Sequence, residues 1–272
     1  MKLSAMTLAL LASVSSVGLE AQAAAIHDAG LFTDHTLAAN DDGSTGLVNI
    51  GFTLNFFGAS YSQLYVNNNG NVTFDDALGT FTPFNLLTTA TPMLAPFFAD
   101  VDTRGSLSSK VQYGQDTLDG RNVFGVNWIN VGYYNAQSDK LNSFQLIIHD
   151  RSDIGVGDFD FEFNYDRILW ETGSASGGSG GFGGSSARAG WSNGVSASHE
   201  ITGSAVNGAL LDSNAATGLV HNSLSSPVEG RYLFQVRNGQ VQDPNPIPEP
   251  GTLALLGLGL AGVFGLRRKQ AA

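Results

Sequence analysis

Two pairs of aspartates have the spacing that chemistry would use. Asp100 and Asp102 are two residues apart, so in a strand both carboxylates point to one side. Asp158 and Asp160 repeat that spacing, with Asp150 and Asp153 close by around the loop 151–157. Hard cations such as calcium take six to eight oxygen ligands. Brought together, the two clusters predict a calcium site at Asp100, Asp102, Asp158 and Asp160. The competing arrangement is a solvated polar face in which Asp100 or Asp102 pairs with Arg104 or Arg151. No EF-hand loop pattern accompanies either cluster.

Catalytic constellations are harder to assemble. Gly177, Ser179 and Gly181 spell the Gly-x-Ser-x-Gly of a hydrolase elbow, but that motif needs a strand before the serine and a helix after it. Here it sits among seven glycines in residues 173–184, and the tract reads as a flexible, exposed loop. It lacks the Gly-Lys-Ser/Thr ending of a phosphate-binding loop. His27, His35, His149, His199 and His221 are isolated in the sequence, with no His-Glu-x-x-His zinc pattern. Glu162 and Glu171 are the one sequence-near glutamate pair for glycoside hydrolysis, which needs two carboxyls in one cleft. Tyr133, Tyr134 and Trp191 are candidate platforms for stacking on sugar rings.

The elements that must hold these residues are strands. Phe52, Leu54 and Phe56 alternate with polar residues, as do Phe124, Val126 and Trp128, then Phe144, Leu146 and Ile148. In residues 158–165, Phe159, Phe161, Phe163 and Tyr165 fall on one face, and Asp158, Asp160, Glu162 and Asn164 on the other. The aromatic face is the expected core. Asn69-Gly70, between Tyr65-Val66 and Val72-Thr73-Phe74, marks a hairpin. Further strands are expected at 188–192 and 231–237. No amphipathic helix is expected between residues 26 and 242. The fold class is therefore all-β, an antiparallel sandwich or a barrel-like pair of sheets.

Composition agrees with that and excludes other classes. The chain has 272 residues, 34 glycines, 17 phenylalanines and no cysteine, so neither a disulfide framework nor a thiolate metal site is available. Its net charge is −11, the wrong sign for nucleic acid. With 14% charged residues it is not an acidic disordered chain either. Residues 26–250 alone hold 9 basic and 23 acidic side chains. That surface repels anionic lipid heads and suits cations, neutral polysaccharide or other proteins.

Both ends read as targeting segments. Lys2, an apolar stretch and small residues at Ala21, Ala23 and Ala25 have the layout of a secretory signal over residues 1–25. A Pro/Asn-rich linker, 238–247, should be extended. Pro248-Glu249-Pro250 follows, then an apolar run over 252–266, then Arg267, Arg268 and Lys269. Fifteen helical residues span roughly 22 Å, short of the ~30 Å hydrocarbon core, and snorkelling of the basic cluster can cover the deficit. The basic end stays cytoplasmic. The order of motif, apolar helix and basic stop resembles the PEP-CTERM sorting signal of Gram-negative bacteria. That resemblance implies processing by a membrane exosortase near Pro248-Glu249-Pro250. It further implies inner-membrane anchoring beforehand and delivery to the cell surface or an extracellular matrix.

A second resemblance lies in the centre. Pro96-Phe97-Phe98-Ala99-Asp100-Val101-Asp102-Thr103, Val126-Asn127-Trp128, Asn142-Ser143-Phe144-Gln145-Leu146 and the stretch from Asp160 to Gly173 resemble successive blocks of the NIDO domain, the extracellular module of nidogen-type proteins. This divides the chain into a β-rich leader at 26–92 packed on the main domain, a NIDO-like domain at 93–237, the linker, and the sorting segment at 248–272. The resemblance implies cell–matrix adhesion and no catalytic role. The expected function is therefore non-catalytic adhesion, or assembly of an exopolysaccharide or biofilm matrix. The partners are an exosortase, a matrix protein or polysaccharide, and the membrane through the C-terminal helix. A calcium-dependent lectin for polysaccharide is the alternative, and a polysaccharide-active hydrolase a third reading.

Overall fold

The computed structural model describes residues 24–242. They form two antiparallel sheets. The larger contains β1 (His35–Thr36), β6 (Val101–Asp102), β7 (Gln112–Leu118), β8 (Arg121–Tyr133), β9 (Gln137–Asp150), β10 (Phe159–Arg167), β13 (Arg231–Arg237) and β14 (Gln240–Val241). Its order is β1-β7-β8-β9-β10-β13-β14, with β6 also paired to β8. The smaller contains β2 (Val48–Phe56), β3 (Ala59–Asn67), β4 (Asn71–Thr73), β5 (Pro92–Phe98), β11 (Arg188–Asn193) and β12 (Ser198–Glu200), in the order β12-β11-β5-β4-β3-β2. The remaining elements are two one-turn 3-10 helices, Ser174–Ser176 and Leu219–His221.

The alternating apolar residues meet between the sheets, as their period of two requires. Trp128 of β8 stacks on Phe144 of β9 with ring centroids 5.3 Å apart. Phe144 in turn meets Phe97 of β5 at 5.3 Å, and Phe56 of β2 meets Phe159 of β10 at 6.0 Å. Fully burying each such ring contributes roughly 1.5–3 kcal/mol. Residues 26–92 and 93–237 share this core: β4 pairs with β5, so β2, β3 and β4 continue the sheet that holds β5 and β11.

The Asn69-Gly70 hairpin forms between β3 and β4, with Asn67 opposite Asn71. Gly70 has φ +71°, and a Cβ there would lie 1.8 Å from the Phe97 carbonyl oxygen. A second Asn-Gly turn, at Asn238 (φ +51°) and Gly239 (φ +77°), joins β13 to β14. The domain thus runs past residue 237, and the first residues assigned to the linker are sheet. A type I′ turn needs positive φ at both central residues, which Asn-Gly supplies.

The second face of β10 is not solvated. Asp160, Glu162 and Asn164 are all buried. Across the strands, Asn127, Gln145 and Asn164 lie in register. The Gln145 amide donates to Asn127 at 2.8 Å. Residues 24–32 lie over this face. The His27 backbone N–H donates to Gln145 Oε1, and Asn127 donates to the Leu31 carbonyl at 2.8 Å. Phe32 packs on Val123 and Ile147. Gly125 permits this approach, since a Cβ there would lie 2.3 Å from the Phe32 ring.

Candidate functional site

Asp100 ends the β5–β6 turn and Asp102 lies in β6, and both are buried. Their surroundings differ completely. Asp102 accepts hydrogen bonds from the Arg104 guanidinium at 2.6 and 2.9 Å, from the Arg104 backbone N–H and from the Ala136 N–H at 2.7 Å. Burial pushes its pKa up, but these donors together outweigh it and hold the carboxyl below the usual range. Asp100 has no hydrogen-bond partner at either carboxylate oxygen. Burial, then the charges of Asp41, Asp42 and Asp102, push its pKa up to about 7 against a partial opposing pull from Arg104.

Asp41 and Asp42 come from the loop between β1 and β2, and their carboxylates close on Asp100. One oxygen from each of the three lies within 4.8 Å of the others. Burial, with Asp102 and Asp42 nearby, raises the Asp41 pKa to about 6 even though Arg104 sits 2.9 Å from it. The loop is held by the buried turn asparagines. Asn68 donates from its side chain to the carbonyls of Asp41 and Val101, each at 2.5 Å. Asn69 donates to Asp42 Oδ1 at 2.9 Å. Trp128 fixes the turn through an indole N–H bond to the Asn68 carbonyl, 3.1 Å. Sequence reasoning assigned these asparagines to a turn alone and passed over Asp41 and Asp42. The adjacent pair before Gly43 was the available signal.

Asp158 and Asp160 do not join this cluster. Val101 pairs with Tyr133 and Tyr133 with Gln137 at one end of β9, whereas Phe159 pairs with Asp150 at the other. Thirteen residue steps of strand separate them, roughly 40 Å. Asp160 is clamped by Arg151 and Arg237, each at 2.6 Å. Asp158 accepts the Asn238 N–H at 2.7 Å. The four-aspartate set is thus split: the period of two placed each pair on one face but carried no information on where the strands end.

The aromatic platforms are also relocated. Tyr133 is buried, donates its hydroxyl to Asp139 at 2.8 Å and lies against Trp170. Burial first, then Asp139, push its pKa up to about 12. Trp191 is buried between Phe57, at 5.5 Å, and His199, at 6.4 Å. Neither ring faces solvent. Tyr134 is half-buried beside the acidic cluster, its N–H bonded to the Asp100 carbonyl.

The glycine tract is a sequence of bonded turns. Ser179 and Phe182 exchange backbone hydrogen bonds, so no strand-to-helix elbow presents Ser179. Glu171 accepts the Gly208 N–H with both oxygens, and Glu162 lies on the outer face of the large sheet against His149 and His27. The two glutamates do not share a cleft. An open cavity of about 360 Å³ beside His199, Thr217, Asn222 and Tyr232 has no carboxylate in its lining. Pro248, Glu249, Pro250, Arg267, Arg268 and Lys269 lie outside the described residues, as does most of the expected signal. Among the described residues no helix is long and apolar enough to cross a membrane.

Comparison with known proteins adds to this geometry. The family model of the nidogen-like domain (NIDO) matches residues 62–238, and that of the PEP-CTERM protein-sorting motif matches residues 246–269. The chain is 31% identical over 231 residues to alpha-tectorin of Mus musculus and, to the same extent, of Homo sapiens, covering 75% of this chain and 10% of each relative. It is 30% identical over 145 residues to nidogen of Drosophila melanogaster, covering 44% of this chain and 10% of that protein. The chain thus spans about a tenth of the length of these relatives. No solved structure matches it. The sorting motif together with this domain points to an exported, extracellular or surface protein. With the family match reaching from β3 to the β13–β14 turn, the chain belongs to the nidogen-like domain family.

Proposed function

We propose that this protein is a non-catalytic adhesion or matrix-assembly module of the cell envelope. It is exported and held in the inner membrane by residues 252–266 and the stop Arg267-Arg268-Lys269. A membrane exosortase then cuts it near Pro248-Glu249-Pro250 and releases it to the surface or the exopolysaccharide matrix. The observation that carries this reading is the presence on one chain of a nidogen-like domain and a PEP-CTERM motif directly after it. The separation of Glu162 from Glu171 supports a binding role: Glu162 serves His149 on the outer face of the large sheet and Glu171 the Gly208 backbone, so they do not form a carboxylate pair in one cleft.

The test is fractionation of a host that contains an exosortase, expressing the full chain or its Pro248→Ala/Glu249→Ala variant. The natural chain is expected in the surface or matrix fraction, and the variant in the inner membrane with loss of matrix retention. Identical distribution of the two would sink the processing step. Normal matrix cohesion in cells lacking the protein would sink the adhesion role.

A further inference from the structure

We propose that Asp41, Asp42 and Asp100 bind one calcium ion that ties the β1–β2 loop to the β5–β6 turn. The inference is independent of what the domain adheres to. An acidic cluster alone would not carry it. The decisive feature is Asp100, which is 1% exposed and has neither carboxylate oxygen hydrogen-bonded. A buried carboxylate with no partner is strongly unfavourable unless a cation or a proton satisfies it. Asp41 adds a third such atom, its Oδ1 being buried and unpartnered as well.

The geometry suits a cation. Calcium–oxygen bonds of about 2.3–2.6 Å allow ligand atoms to be at most roughly 5 Å apart across the ion. One oxygen of each aspartate lies within 4.8 Å of the other two. The charge balance points the same way. Asp41, Asp42, Asp100 and Asp102 face a single guanidinium, Arg104, which is committed to Asp102 and Asp41 at 2.6 and 2.9 Å. That leaves three uncompensated negative charges, and a divalent ion leaves one. All donors are oxygens, which excludes the soft metals. Asp42 is exposed, so water can complete the coordination shell. Such an open, irregular shell suits calcium better than magnesium, which demands a near-ideal octahedron.

The surroundings are built to present these oxygens. Asn68 holds the Asp41 carbonyl and Asn69 orients Asp42, so the loop is fixed on both sides of the cluster. Gly173 closes over Asp100 without bonding to its carboxylate, and a Cβ there would lie 2.3 Å from Asp100 Oδ2.

The experiment uses the full chain in detergent, stripped with EDTA and then titrated with calcium. Binding is followed by calorimetry and unfolding by its thermal midpoint. The natural chain is expected to bind one calcium and to show a midpoint that climbs with the logarithm of its concentration. Asp42→Asn, at an exposed position that does not threaten folding, and Asp100→Asn should each weaken binding about tenfold or more. Asp160→Asn should lower the midpoint but leave the calcium-dependent rise intact. A flat midpoint in the natural chain would overturn the proposal and identify Asp100 as a protonated acid. An undiminished rise in both Asp42→Asn and Asp100→Asn would also overturn it, as would an equal rise with magnesium.

Discussion

Glu162 Oε1 lies 2.6 Å from His149 Nε2 across the β9–β10 pair, on the side of the large sheet away from the aromatic core. The other oxygen of Glu162 lies 3.2 Å from His27, and Arg231 Nε approaches it at 3.5 Å. One buried carboxylate therefore joins β9, β10, β13 and the N-terminal residues that cover the sheet. Covering a polar face is possible because most groups on it have partners, as buried polar groups require, with Asn164 Oδ1 and Arg231 Nε left without a hydrogen bond.

That contact predicts acid lability. Burial pushes the Glu162 pKa up, but the His149 imidazole 2.6 Å away and the hydrogen-bonded His27 together overcome it and hold the carboxyl far below its usual value. Because the folded-state pKa is the depressed one, the unfolded chain takes up the proton first as pH falls. The stabilisation is complete above the unfolded value of about 4.3 and is lost as pH falls through the folded value. Denaturant midpoints measured from neutrality down to strong acid should decline in that window. Glu162→Gln should cost roughly 3 kcal/mol at neutral pH and flatten the decline. An unchanged slope in the variant would rule out Glu162 as its source.

Phe32 should act as the anchor of the covering segment. It is buried with Val123 and Ile147, outside the main core. Phe32→Ala is expected to cost roughly 3–4 kcal/mol and to open residues 24–34 to protease before the rest of the domain. Cleavage at the same rate as the parent would show that the segment is held by its polar contacts alone.

Gly70 and Gly120 separate backbone strain from collision. Both have positive φ, +71° and +74°. A Cβ at Gly120 meets open space, whereas one at Gly70 strikes the Phe97 carbonyl. Gly120→Ala should cost about 1 kcal/mol. Gly70→Ala should cost at least about 3 kcal/mol, because β4 must shift away from β5. Equal melting temperatures for the two variants would contradict the close approach.

Much of the architecture was legible in local pattern. The period of two in 124–128, 144–148 and 159–165 identifies β8, β9 and β10 and the face of each that enters the core. The pairing of Asp102 with Arg104 was also within reach, because two residues on one short segment need no distant partner. The Asn238-Gly239 turn carried as clear a hairpin signal as Asn69-Gly70 and was read as linker only because of the prolines that follow.

The amino-acid sequence by itself determined the all-β class, the core-facing side of the main strands and the family. Each of these rests on residue types a few positions apart, where strand geometry is fixed by the backbone. Tertiary structure decided which charges meet. Asp41 reaches Asp100 because the β1–β2 loop is stitched to a buried asparagine turn, and Asp160 is withheld because β9 is long enough to put it at the far end of the sheet. Electrostatic contact depends on separation in space, and between strands distant in sequence only the pairing order and the strand lengths set that separation.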